Sequence, residues 1–207
     1  VLKVRDELLN QKNLNASYQL MLDAHSKLKG WRREALLVGK ALVEADQGTK
    51  ALKLAEAKND RYLRAMITAN IGRNQLALGD AQAAAKSIEQ AFSSIEASDP
   101  KGDIVREYLV DTLIQMKLPK EALKYVIEED FPNQAWWLAK IAASLADLGL
   151  SKPALNVFHK AIQEVQKVGQ PEVQASILID MGESFYAMNL AIEPRTMQLF
   201  KEILAEK

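Results

Sequence analysis

The feature that most restricts the fold of this chain is a small residue that returns at a set spacing. Gly39 stands twelve positions before Ala51, Gly72 before Ala84, Val110 before Ala122 and Ala142 before Ala154. Gly182 stands twelve before Pro194, where the second small residue is lost. The second members advance in steps of 33, 38, 32 and 40 residues. Two helices joined by a short turn account for such a spacing, because helices approach to roughly 8 Å only where the facing side chains are small. Glycine inside a helix is worth roughly 0.5–1 kcal/mol less than alanine, so its recurrence at one site calls for a packing reason. A bulky residue precedes each small one: Val38, Ile71, Leu109, Ile141 and Met181. Ala55, Ile88, Val126 and Phe158 follow the second-helix alanine by four, the stripe of a half-buried helix.

A longer period overlies the short one. At an offset of 70, Leu78-Gly79 falls on Leu148-Gly149, Ala84 on Ala154, Ile88 on Phe158, Ala91 on Ala161, Phe92 on Ile162 and Ile95 on Val165. Lys50-Ala51-Leu52-Lys53 returns as Glu121-Ala122-Leu123-Lys124 at an offset of 71. The expectation is an all-α chain of about six antiparallel helix hairpins, over 1–28, 31–58, 61–97, 103–130, 133–168 and 173–206. Turn signals separate them at Lys29-Gly30, Asn59-Asp60, Asp99-Pro100-Lys101-Gly102, Phe131-Pro132-Asn133 and Val168-Gly169-Gln170-Pro171. Second helices are expected to alternate between long (81–97, 151–168) and short (49–58, 119–130).

The remaining composition agrees. Nine Gly and six Pro in 207 residues are few for a turn-rich β fold, and aromatics are 6%. Lys+Arg and Asp+Glu are 27 each, so nothing favours a nucleic-acid partner, which would need a basic excess. There is no cysteine, which excludes disulfides and thiolate chemistry and leaves the compartment open. No stretch of 18 apolar residues exists, and Val1 to Glu7 holds no signal-peptide core, so no membrane insertion and a cytoplasmic location are expected. The chain is read as one helical-repeat domain over 1–207, strongest at 61–97 and 133–168, and as a possible fragment of a longer protein.

Gly or Ala, then Ala twelve on, then Ala seven further, at a period near 34, resembles the tetratricopeptide repeat. Gly72, Ala84 and Ala91 match all three small positions, as do Ala142, Ala154 and Ala161. Gly79 and Gly149 fit that family's turn glycine, whereas Lys58, Glu129 and Lys201 replace the final Ala and residues 1–30 match poorly. The resemblance implies a right-handed α-solenoid with a concave face lined by first-helix positions six and three before, and one, four and five after, the small residue. Mapped onto this chain, they are Arg33, Leu36, Lys40, Val43 and Glu44; Met66, Ala69, Arg73, Leu76 and Ala77; Ile104, Glu107, Asp111, Ile114 and Gln115; Trp136, Ala139, Ala143, Ala146 and Asp147; and Ser176, Ile179, Glu183, Tyr186 and Ala187. The candidate peptide-binding residues among them are Arg33, Lys40, Arg73, Glu107, Asp111, Trp136, Asp147, Glu183 and Tyr186. Basic members come early and acidic members late, and residues 1–100 carry 15 basic to 12 acidic side chains. Such a groove would orient a bound segment of complementary polarity. Some family members clamp a peptide carboxylate with Lys, Asn and Arg. The matching positions here are Leu36, Lys40, Arg73, Glu107 and Asp111, whose two acids would repel a carboxylate, so no such clamp is expected.

No catalytic constellation can be assembled. His25 and His159 lack metal-ligand spacing, no Gly-rich phosphate loop occurs, and Glu128-Glu129-Asp130 reads as a solvated helix end. Asn15-Ala16-Ser17 is a glycosylation sequon inside a predicted helix. Trp136 and Trp137 point about 100° apart on a helix, so if Trp137 packs between hairpins, Trp136 should face the groove or solvent. The function expected is a non-catalytic protein- or peptide-binding scaffold or assembly factor, without cofactor or metal, with self-association through an uncapped end as a possibility. The alternative is a sensor or regulatory helical-repeat module of a larger protein.

Overall fold

The computed structural model of the chain describes residues 14–24, 30–95, 100–128, 131, 133–168 and 170–188, with residues 194, 198 and 201 further on. The regular elements among the described residues are all α-helices. They are α1 (Leu14–Asp23), α2 (Trp31–Glu44), α3 (Gly48–Ala57), α4 (Arg61–Ala77), α5 (Ala81–Ser93), α6 (Pro100–Gln115), α7 (Pro119–Glu128), α8 (Gln134–Asp147), α9 (Ser151–Gln166) and α10 (Pro171–Met188). Three begin on proline, which has no N–H to leave unsatisfied in a first turn. The expected length alternation is present: α5 and α9 have 13 and 16 residues, α3 and α7 have 10 each. The early part of the first expected hairpin and most of the second helix of the last lie outside the described residues.

The connections inside the hairpins share one backbone form. Three residues separate α2 from α3, α4 from α5, α6 from α7 and α8 from α9. The middle residue of each has a left-handed φ: Asp46 at 59°, Gly79 at 88°, Lys117 at 58° and Gly149 at 74°. Each lies seven residues after the small residue of its first helix. Its N–H reaches the carbonyl three back, and the next N–H reaches the carbonyl five back, at 2.8–3.0 Å in all four turns. This pair of bonds satisfies carbonyls that a helix end leaves over. Asp46 and Lys117 hold the conformation without glycine, which is why composition pointed to only two of the four.

The chain divides into two compact units, Val1–Thr112 and Leu113–Lys207. In the first, α1 to α4 share one core built on Trp31, Ala35, Val38, Leu42, Leu54, Leu63 and Ile67, with Met21 of α1 inside it. The Trp31 indole N–H donates to the Met21 carbonyl at 3.3 Å, and Lys58 Nζ to the Leu22 carbonyl at 2.7 Å. α2 packs on both α3 and α4, and α4 packs along α5. At Gly72, an added Cβ would lie 3.1 Å from the Ala84 carbonyl oxygen and 3.2 Å from Ser87 Cβ, so the expected close approach of α4 and α5 is present. Gly39 differs from expectation. Its added Cβ would meet Cγ1 and Cδ1 of Ile67 on α4, both at 3.0 Å, rather than Ala51. A bare backbone accepts whichever bulky side chain reaches it, and here fully buried Ile67 comes from the following hairpin.

In the second unit α8 packs along α9 and against α7 and α10. Leu138, Ile141, Leu145, Phe158, Ile162 and Met181 are fully buried, with Ala142 and Ala154 between them. Among the described residues nothing lies within 4 Å of a Cβ added at Gly182. No helix among the described residues is long and apolar enough to cross a membrane.

Candidate functional site

In the first unit three successive first helices bring polar side chains together. Lys40 of α2 holds its ammonium 5.2 Å from the centroid of the Tyr108 ring on α6. Asn70 of α4 donates through Nδ2 to the Tyr108 hydroxyl at 2.6 Å and to the Met66 carbonyl at 2.7 Å. Asn70 is 2% exposed, and its carbonyl oxygen Oδ1 is buried with no hydrogen-bond partner among the described residues. Thr112 ties the base of this group, donating from Oγ1 to the Tyr108 carbonyl at 2.8 Å.

Of the residues expected from the repeat register, Lys40 enters this constellation directly. Arg73 turns to the α2–α4 seam, with Nη2 3.9 Å from Glu44 Oε1, while Asn74 beside it donates to the Val43 carbonyl at 3.3 Å. Side chains this exposed gain little from the charge pair itself, roughly 0–1 kcal/mol. Glu107 and Asp111 are half-buried on α6, and Arg33 is exposed on α2. Val43, Met66 and Ala69, placed in the groove by the register, are buried, and so is Ala139 in the second unit.

In the second unit Trp137 is 4% exposed and Trp136 half-buried, the division expected of neighbouring helical positions. Their rings meet edge to face at 84° with centroids 4.7 Å apart. Lys140 lies over both, 4.3 Å from the Trp136 centroid and 5.2 Å from that of Trp137. Asp147 is exposed at the end of α8, and Tyr186 is 88% exposed on α10. The Glu183 side chain lies outside the described residues.

The residues missed by sequence share a register. Asn70, Tyr108 and Lys140 each stand two positions before the small residue of their helix, a position the expected groove omitted. The available signal was that register alone, a polar atom recurring two positions before the small residue of the helix.

The other motifs singled out from sequence resolve as structural features. Asn15 and Ser17 lie on α1, where Ser17 is buried and Asn15 Oδ1 accepts from Lys50 Nζ. His159 is half-buried beside fully buried Phe158, while His25 and most of Glu128-Glu129-Asp130 fall outside the described residues. Among the described residues no group of three or more His, Asp or Glu side chains could hold a metal ion. No protein-family model, curated protein or solved structure matches this chain.

Proposed function

We propose that this chain is a non-catalytic binding scaffold whose hairpins stack as a right-handed, tetratricopeptide-like solenoid and whose first helices receive a peptide or protein segment. The observation that carries this reading is the constellation of Lys40, Asn70 and Tyr108. Three successive first helices contribute one polar group each, and a buried carbonyl oxygen is left over. An unsatisfied buried acceptor costs about 1–3 kcal/mol. A main-chain N–H from an extended segment would satisfy Asn70 Oδ1 once the Tyr108 ring swings aside, and Lys40 would then be released to meet an acceptor on the same segment. Ring, amide and ammonium together suit a peptide, which presents both donors and acceptors.

The test begins with capture of partners on the immobilised full chain and identification of the bound segment as a synthetic peptide. Lys40→Ala combined with Tyr108→Ala should weaken that peptide at least tenfold while the helical signal and melting cooperativity persist. Affinity unchanged in a folded double variant would reject this site.

A further inference from the structure

The corner made by Trp136 and Trp137 on α8 holds a cation of its own chain. The two indole rings meet at 84° with centroids 4.7 Å apart, so they form two walls at nearly a right angle. Lys140 follows one turn further along α8. Its ammonium lies over both walls, 4.3 Å from the Trp136 centroid and 5.2 Å from that of Trp137. Both distances fall inside the roughly 6 Å over which the negative face of an aromatic ring attracts a cation.

The choice of side chains favours cation binding over plain packing. Indole presents the strongest such face of the aromatic side chains. Trp137 also carries a cost that a phenyl ring would spare. It is 4% exposed, and its Nε1 is buried with no hydrogen-bond partner among the described residues. A buried indole N–H ordinarily finds an acceptor, and one left without it destabilises the fold. That cost is offset where the indole face itself does the binding. Trp136 and Lys140 are both half-buried, so solvent reaches the corner from at least one side.

Lysine suits this corner in charge but less well in chemistry. Its ammonium is compact and strongly hydrated, with three N–H donors that ring faces satisfy less well than water does. Seating it there also fixes a long side chain with much rotamer freedom to lose. A quaternary ammonium has no N–H to leave unmet, and its methyl groups pack against both walls while its charge faces the rings. The lysine stem is long enough to carry its own charge outward to water when another cation enters.

We propose that the Trp136–Trp137 corner binds a quaternary ammonium group, with Lys140 as its internal competitor. The site lies wholly on α8 and shares no residue with the Lys40–Asn70–Tyr108 constellation, so the two readings stand or fall apart. The ammonium belongs either to a small metabolite or to a trimethylated lysine of a partner protein.

Titration of the ¹⁵N-labelled full chain, followed through the indole N–H signals of its three tryptophans, tests the proposal. Trp31→Phe and Trp136→Phe assign those signals. The probes are choline, its uncharged isostere 3,3-dimethylbutan-1-ol and an acetyl-Ala-trimethyllysine-Ala amide, all at constant ionic strength. At least one of the two cations should shift the Trp136 or Trp137 signal saturably and bind tenfold or more tightly than the isostere. Lys140→Gln empties the corner and should tighten binding threefold or more. Trp136→Ala should weaken it at least tenfold, and Trp136→Phe by less, because a phenyl face attracts a cation less strongly. Circular dichroism establishes that the variants are folded. Tighter binding of choline supports a small-molecule site, and tighter binding of the peptide supports a protein-borne ammonium. No saturable shift with either cation, equal binding of the isostere, binding unchanged in Trp136→Ala, or binding weakened in Lys140→Gln would each overturn the proposal.

Discussion

Replacing Gly72 with alanine tests the helix seam on which the hairpin architecture depends. The new Cβ would lie 3.1 Å from the Ala84 carbonyl oxygen, 3.2 Å from Ser87 Cβ and 3.3 Å from Ile88 Cγ1. The first of these is helix backbone and the second is fixed directly to it, so neither can swing away. α5 must shift bodily, and Ala84 is fully buried. Overpacking of this kind costs typically about 1–3 kcal/mol. Against it stands the better helix propensity of alanine, about 1 kcal/mol. The overpacking term wins, and Gly72→Ala should lose about 1 kcal/mol. Gly182→Ala is the matched control. It lies in a helix, has no atom of a described residue within 4 Å of an added Cβ and should gain close to the full propensity of about 1 kcal/mol. Gly39→Ala should fall between them, because its obstacle is the outer end of the Ile67 side chain, which can shift by a few tenths of an ångström. Urea unfolding followed by far-ultraviolet circular dichroism resolves differences of this size, and a 1 kcal/mol change moves the melting temperature by about 4–8 °C in a unit of roughly 100 residues. Equal effects at Gly72 and Gly182, or a stabilised Gly72→Ala, would refute the close seam between α4 and α5.

Lys117→Gly should stabilise by about 1 kcal/mol because it relieves a left-handed φ of 58°, and Gly149→Ala at the equivalent position should destabilise by a similar amount; opposite shifts in urea midpoint check the shared turn. Asp60→Ala removes the α4 cap and the Arg32 partner together and should cost about 1–2 kcal/mol, more than Asp80→Ala, which removes the α5 cap alone. Equal losses on thermal unfolding would show that the Arg32 bond adds nothing. Phe158→Ala empties a fully buried position in the second unit and should cost about 3–5 kcal/mol, read as a drop in the transition monitored by tryptophan fluorescence in a Trp31→Phe background, which leaves Trp136 and Trp137 of the second unit as the emitters.

The hairpin pattern was legible because it rests on local requirements. A first helix needs a small residue and a bulky neighbour at a set spacing, and the turn needs a break seven residues later. Those demands recur in the chain at Gly72 and Gly79 and at Ala142 and Gly149, and the expected hairpins at 61–97 and 133–168 are found as α4 with α5 and α8 with α9, the second helices ending at Ser93 and Gln166 rather than at 97 and 168. The turns at Asp46 and Lys117 escaped notice because side chains other than glycine can hold a left-handed φ when the flanking hydrogen bonds compel it. The contact of Gly39 with Ile67 escaped for a different reason. Spacing identifies a notch in a helix but not which neighbour fills it.

The amino-acid order alone therefore specified the approximate helix positions, their pairing through short turns and the apolar stripe at Val38, Leu109, Ile141, Met181, Ala55, Ile88, Val126 and Phe158 that becomes buried, since each follows from periodicity over a few turns. It did not specify the polar constellation of Lys40, Asn70 and Tyr108, nor the pairing of Arg32 with Asp60. Lys40 and Tyr108 are 68 residues apart, and Arg32 meets Asp60 across 28. Contacts over such separations depend on the angle and offset at which packed helices come to rest. Those quantities are set by the fit of many side chains at once and leave no mark in any single stretch of chain.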